Sequence, residues 1–332
     1  MRVDYESARI VSYERMNISK GSMTDVDHLL TKTSRTFAVT IPMLPMPTRE
    51  EVSIAYLLFR IVDTFEDATR WTPSQRIDAI NAFLPLLASR HPGQARRFAD
   101  RCLVDPPVDH AGYLELLDEI PFVLSQLDRL SEGGAHLLRQ YVSRSAEGMA
   151  QILTGIAPGK TLQLRSIAEL RHYCYIVAGI VGEMLTELYL LNRPGLAPVA
   201  DYLRARSRLF GEGLQLVNIL KDADVDDSEG RQYIPTGQRA EVFALAQSDL
   251  QAATEYTLAV QQHGAERGLV AFDALLVRLA TETLAVLRAR RPSNKLTRGE
   301  VVAIVTSVLS DIDSGRPAVP AGGAEAYDLA AE

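Results

Sequence analysis

Residues 167–191 are apolar on almost every side of a helix. A surface helix needs only an apolar stripe, whereas one that is apolar all round belongs at the centre of a bundle, enclosed by other helices. The rest of the chain reads as that enclosure. Residues 50–68 carry Val52, Ala55, Tyr56, Phe59 and Val62 at the three- and four-residue steps of one helical face. Residues 73–89 read as a second helix, with Thr72 as its cap, Pro73 in its first turn and Pro85 as a point of kinking or shortening. Further helices are expected over residues 111–130, with a break at Pro121, and over 132–153, 198–222, 239–263, 269–290 and 297–313. The connections are made of Pro, Gly and polar residues: His91-Pro-Gly, Asp105-Pro-Pro, Ala157-Pro-Gly-Lys and Asp227-Ser-Glu-Gly-Arg. No hairpin dipeptide sits between alternating runs, and neither an interdomain linker nor an internal repeat is visible. The reading is one all-α domain over residues 1–313 with a central cavity, followed by a Gly- and Pro-rich tail, 314–332, expected to be disordered.

Bulk properties narrow the function. Hydrophobic residues make up 47% of the 332, enough for a large core. The formal net charge of -7 argues against broad nucleic-acid binding and leaves a local basic pocket open. Cys102 and Cys174 are the only cysteines; a single bridge between them stays open, but there is no cysteine framework, and a reducing cytoplasm is the better reading. The opening Met-Arg-Val-Asp-Tyr-Glu-Ser has no basic segment running into an apolar one, so no secretory signal is expected. No apolar run is read as reaching the ~18 residues of a membrane span. The expectation is a cytoplasmic protein that touches the inner face of a membrane peripherally if its substrate is lipid-like.

Two acidic patches carry the chemistry. Asp63-Thr-Phe-Glu-Asp67 and Asp222-Ala-Asp-Val-Asp226 each set two aspartates four residues apart, on one helix face one turn apart. Like charges so placed repel, and a helix gains nothing from them unless a cation sits between. Mg²⁺ suits the role, because it takes one or two carboxylates, keeps waters and bridges to substrate phosphates. The plain alternative is an acidic fringe on a solvated helix. Against it, Asp63 follows the apolar Leu57-Leu-Phe-Arg-Ile-Val62, and Arg60 stands three residues before it, placed to orient a carboxylate or meet a phosphate. In the second patch Gln215, Asn218, Asp222 and Asp226 form a polar line among apolar neighbours, with Lys221 and Arg231 as phosphate partners. Asp224, Asp227 and Glu229 add acids that cannot all be ligands.

Two further segments have both a chemical and a structural reading. In Tyr173-Cys-Tyr-Ile-Val-Ala-Gly-Ile-Val-Gly182, Gly179 and Gly182 each cost about 1 kcal/mol against alanine in a helix. They make room for an apolar ligand or for a neighbouring helix. Tyr173 is a hydrogen-bond donor beside a developing charge, or a half-buried core residue. In Ser34-Arg-Thr-Phe37, Ser34 and Thr36 offer hydroxyls, Arg35 a phosphate partner and Phe37 an aromatic wall; a helix cap explains the hydroxyls equally well.

In this order, Ser34–Phe37, Arg60–Asp67, Tyr173–Gly182 and Gln215–Asp226 resemble the squalene/phytoene synthase family of head-to-head prenyltransferases, over about residues 34–235. Asp63-Thr-Phe-Glu-Asp67 is closest to the squalene branch. The resemblance implies an all-α isoprenoid synthase fold. It implies that Asp63, Asp67, Asn218, Asp222 and Asp226 hold Mg²⁺ and the diphosphates of two prenyl donors, farnesyl diphosphate first among them. It places Ser34, Arg35, Phe37, Arg60, Val177, Gly179, Gln215, Asn218, Lys221 and Arg231 on the substrates, and Tyr173 with the four aspartates in catalysis. Lys221 stands where the family usually has arginine and forfeits a two-pronged phosphate contact. Phe37, Met149, Leu153, Val177, Ala178, Ile180 and Val181 are implied to line an apolar tunnel. In this chemistry diphosphate leaves, an allylic cation is attacked by the second donor to give a cyclopropylcarbinyl diphosphate, and a second ionisation rearranges it. Lys295 and Arg298 fall where squalene synthases carry a basic stretch linked with phosphate or NADPH, which implies NADPH if the product is squalene. The alternatives are a phytoene, dehydrosqualene or presqualene diphosphate synthase with no reductive step, and a non-catalytic helical binding protein of the same fold.

Overall fold

The computed structural model describes residues 25–34, 36–88, 91–157, 159–291 and 293–320. Among them there is no strand, and one isolated bridge joins Gln163 to Gln232. The helices are α1 (Asp25–Thr33), α2 (Phe37–Thr40), α3 (Thr48–Glu66), α4 (Pro73–Ala88), α5 (Pro92–Val104), α6 (Ala111–Asp118), α7 (Ile120–Leu127), α8 (Glu132–Thr154), α9 (Ile167–Cys174), α10 (Ile180–Asn192), α11 (Ala200–Ser228), α12 (Arg239–Gln262), α13 (Arg267–Arg288) and α14 (Arg298–Asp313).

Local chemistry sets the boundaries. The expected break near Pro121 falls at Glu119, with Pro121 in the first turn of α7, where its missing N–H costs nothing. The Thr72 N–H donates to Gln75 Oε1 and the Gln75 N–H to Thr72 Oγ1, a reciprocal cap for α4, and Pro85 lies inside that helix without ending it. Helix α5 corrects the reading of His91-Pro-Gly as a plain connection: Pro92 is the first residue of a thirteen-residue helix. Helix α1 was likewise unanticipated, whereas α2 follows the Ser34–Phe37 segment whose hydroxyls read as a helix cap. Helix α11 runs six residues past Asp222, so the whole second acidic patch is helical; Gly230, at φ 79°, turns the chain just beyond it.

Helices α9 and α10 are one rod interrupted by a π-helical turn, Tyr175–Gly179. Together, residues Ile167–Asn192 are long and apolar enough to cross a membrane, with mean hydropathy 1.5, which corrects the expectation that no segment would pass that test. Half of the apolar stretch is buried inside the bundle, as for a core helix. It is held by α8 on one side and α11 on the other. The contact with α11 is made backbone to backbone: a Cβ at Gly182 would run into the Ser207 carbonyl, and one at Gly211 into the Ala178 carbonyl.

Helix α3 buries Leu57, Leu58, Ile61, Val62 and Phe65 completely. Phe65 meets Trp71, Phe83 and Phe98 at ring separations of 6.0, 6.2 and 5.7 Å, which ties α3 to α4 and α5. A second apolar cluster surrounds Tyr173, Leu216, Leu220, Tyr233 and Val242. Cys102 and Cys174 are free and buried, in separate clusters. The chain after Asp313 is packed for some distance: Ala318 and Val319 are fully buried, and Gln261 donates to the Arg316 carbonyl and accepts from the Ala318 N–H. A disordered tail from Ser314 is therefore corrected for residues 314–320; the remainder lies outside the described residues.

Candidate active site

The C-terminal ends of α3 and α11 meet at Arg231. Its Nη1 lies 3.3 Å from Asp67 Oδ1, and its Nη2 lies 3.0 Å from Asp226 Oδ1 and 2.6 Å from Glu229 Oε2. One guanidinium thus joins the two acidic patches. Asp67 caps the end of α3 and is exposed, whereas Asp63, a turn earlier, sits in a recess. Burial pushes the Asp63 carboxyl up to about 6; Arg60, 3.6 Å away, opposes this and Asp67 adds to it. Glu66 between them is buried, and its carboxyl is raised well above the usual range by burial and then by Asp67 and Asp63.

On α11 the polar line is present as expected. Lys221 Nζ donates to Asn218 Oδ1 at 2.9 Å and lies 3.3 Å from Asp222 Oδ2. Gln215 is half-buried one turn before. Burial raises the Asp226 carboxyl, with Arg231 opposing. Among the described residues no group of three or more His, Cys, Asp or Glu side chains is gathered closely enough to hold an ion on its own. The donors are nonetheless all hard oxygens, each turned toward a positive side chain, and burial holds two of the carboxylates, Asp63 and Asp226, above their ordinary range. That chemistry fits Mg²⁺ completing its shell with water and phosphate oxygens.

Tyr173 is buried with its ring 5.0 Å from that of Tyr233 and the hydroxyls 3.5 Å apart. Burial, then the charge of Glu66, holds both phenols well above their ordinary range, so both are neutral. A cavity of about 150 Å³ is lined by Glu66, Asp67, Arg76, Leu153, Arg231 and Tyr233 among others. Arg76 is fixed there by donating to the carbonyls of Trp71 and Glu66.

Arg60 stands at the other side of Asp63. Its guanidinium lies over two rings, 5.6 Å from the Tyr56 centroid and 5.4 Å from that of Tyr113. Tyr56 donates to the Thr33 carbonyl and packs on Phe37 at 5.3 Å. Ser34 accepts from the Phe37 N–H at 2.9 Å, so here the hydroxyl is a helix cap. Arg35 lies outside the described residues. Val177 is half-buried where the two apolar clusters meet. The space beside Gly179 is filled by Tyr175, Arg208 and Glu212. Of the other residues expected along a tunnel, Leu153 lines the cavity, Met149 and Ile180 are fully buried in the core, Val181 is half-buried against it, and Ala178 backs onto Gly211. Lys295 and Arg298 are exposed, and Asn294 beside them reaches the Lys221 carbonyl at 3.5 Å, which brings this segment against α11.

Glu66, Arg76, Tyr113 and Tyr233 were not anticipated. Glu66 lies within the first patch and Tyr233 two residues after Arg231, so proximity in sequence was a usable signal for both. Arg76 and Tyr113 come from α4 and α6, and no spacing pointed to them.

Comparison with known proteins agrees with this geometry. A family model described as squalene/phytoene synthase matches residues 30–261. Squalene synthase BSS of Botryococcus braunii is 28% identical over 204 residues, covering 60% of this chain and 40% of that protein. A squalene synthase of Schizosaccharomyces pombe is 29% identical over 210 residues, covering 62% and 43%. The chain spans less than half the length of the curated relatives it matches. A solved structure described as TcSQS in complex with the ligand E5700 superposes with a TM-score of 0.66 at 24% identity, covering 85% of this chain and 84% of that one. That likeness establishes the all-α isoprenoid synthase fold.

Proposed function

The chain belongs to the squalene/phytoene synthase family, and from that premise we propose that it joins two farnesyl diphosphates head to head, through a cyclopropylcarbinyl diphosphate, to squalene. The observation that carries this reading is Arg231, whose single guanidinium touches Asp67 of the first patch and Asp226 of the second. Two diphosphate sites then share one mouth. Asp63 and Asp67 on α3, with Asn218, Asp222 and Asp226 on α11, would hold Mg²⁺. The ion, when bound, supplies leaving-group stabilisation and orientation.

The remaining work belongs to this chain's own side chains. Arg60 and Arg231 offer forked N–H groups to departing diphosphate, and Lys221 offers a point charge. Tyr173 and Tyr233 stay protonated, so they present hydroxyl dipoles to a developing allylic cation without an anion on which it would collapse. Phe37, Leu153 and Val177 provide apolar walls that keep water from the cation. Acting on farnesyl diphosphate, the protein would work in the cytoplasm, peripheral to the inner face of a membrane.

A product released without reduction is the second reading, favoured by one observation: the family match ends at residue 261, before Lys295 and Arg298. One experiment separates the readings. Purified protein is incubated with farnesyl or geranylgeranyl diphosphate and Mg²⁺, with and without NADPH, and the hydrocarbon identified. Squalene from farnesyl diphosphate with NADPH is the expected result. A C30 hydrocarbon with a central triene despite NADPH would remove the squalene assignment, and no product from either donor would leave a helical binding protein.

A further inference from the structure

At the mouth the Arg60 guanidinium lies beside two aromatic rings. Tyr56, four residues earlier on the same helix, has its ring centroid 5.6 Å from the guanidinium carbon, and Tyr113 on α6 has its own at 5.4 Å. Nη1 is 3.6 Å from Asp63, an ion pair longer than a hydrogen bond, and Nε is buried without a hydrogen-bond partner. Burial works against the charge, but Asp63 and the two tyrosines outweigh it, so the cation is held firmly. A cation held between two rings and a carboxylate has little freedom to swing away, and its uncommitted N–H groups remain to meet an anion.

Tyr113 is itself fixed. Helix α6 presses on α1 so closely that a Cβ at Gly112 would strike the Lys32 carbonyl, and Glu115 pairs with His28 of α1 at 2.6 Å. His110 packs on the Tyr113 ring at 4.2 Å. Since Tyr56 is anchored to the Thr33 carbonyl at the end of α1, both halves of the clamp are referred to the same helix.

We propose that Tyr113 is a positioning residue that, with Tyr56, clamps Arg60 so that its edge receives the diphosphate of the donor bound at the first acidic patch. The proposal rests on the prenyl diphosphate reading above, and its test separates the two. Tyr113→Leu, Tyr113→Phe, Arg60→Ala and the Tyr113→Leu/Arg60→Ala pair are compared by calorimetric titration with inorganic pyrophosphate and Mg²⁺, and by farnesyl diphosphate kinetics. Tyr113→Leu is expected to weaken pyrophosphate about five- to tenfold, the size of one aromatic–guanidinium contact. It should raise KM for the donor by the same factor with kcat within about threefold. Tyr113→Phe, which keeps the ring face, restores both. In the Arg60→Ala background Tyr113→Leu adds nothing, because the group it positions is gone. Unchanged pyrophosphate affinity in a folded Tyr113→Leu, or independent effects of the two substitutions, overturns the clamp. A wild-type protein that binds pyrophosphate but turns over no prenyl donor overturns the enzymatic reading and leaves the clamp judged by titration.

Discussion

Asp63 and Asp67 illustrate how much one residue's meaning depends on neighbours that spacing does not reveal. Their four-residue separation predicted a shared helix face, and both do lie at the end of α3, but they differ in setting: one is recessed beside Arg60, the other exposed and paired with Arg231. On α11, Lys221 faces both Asn218 and Asp222. If these groups hold the ions that carry diphosphate, Asp63→Asn or Asp222→Asn should cut turnover by about two orders of magnitude or more, in the range seen when a single transition-state contact is removed. Far-UV circular dichroism should be unchanged, since each carboxylate is at a mouth rather than in the core. Activity that survives both substitutions would dismiss the ligand roles. Glu66, by contrast, was visible in the motif yet passed over, because a buried acid and a solvated one look alike in sequence.

Between elements, the glycines of the central rod decide the geometry. Gly179 and Gly182 carried two readings, ligand room or helix contact, and the second holds: α10 and α11 touch through backbone. Gly182→Ala gains about 1 kcal/mol of helix propensity but forces a methyl into the Ser207 carbonyl, and overpacking of this kind costs about 1–3 kcal/mol or more. A net loss of about 1 kcal/mol or more in urea denaturation is expected, and an equal or higher midpoint would contradict the contact. Nearby, Asp273 of α13 is fully buried, accepts a hydrogen bond from Tyr189 of α10 at 3.0 Å, and has Oδ2 without a partner. Burial pushes its carboxyl up to about 8 despite that bond. The folded chain therefore keeps a proton that the unfolded chain releases near pH 4, so the stability Asp273 contributes is complete below about pH 4 and is lost as pH rises through about 8, at up to about 1.4 kcal/mol per unit. Asp273→Asn should flatten the fall in stability between pH 6 and 8 by that amount; parallel curves for the two proteins would show that Asp273 does not titrate there.

Across the molecule, ordered chain continues beyond the last helix. Ala318 and Val319 are fully buried, and Gln261 of α12 makes two hydrogen bonds to this stretch. Ending the chain at Asp313 instead of Pro320 should therefore cost about 2–4 kcal/mol, from the apolar burial and the two bonds. Equal thermal midpoints for the two forms would refute that packing. Helical periodicity, capping residues and the placement of Pro and Gly were enough to read the all-α class, most helix positions and the acidic patches, because those signals are local and repeat along one chain segment. Helix α5 escaped because its opening Pro-Gly looks like a turn, and the length of α11 because its acidic end looks like a loop. What local pattern could not supply was which helix ends meet. Arg231 between Asp67 and Asp226, Tyr173 against Tyr233, and Arg60 beside Tyr113 join residues far apart in the chain. Such encounters depend on how the rods pack, and packing is set by shape and burial summed over the whole core.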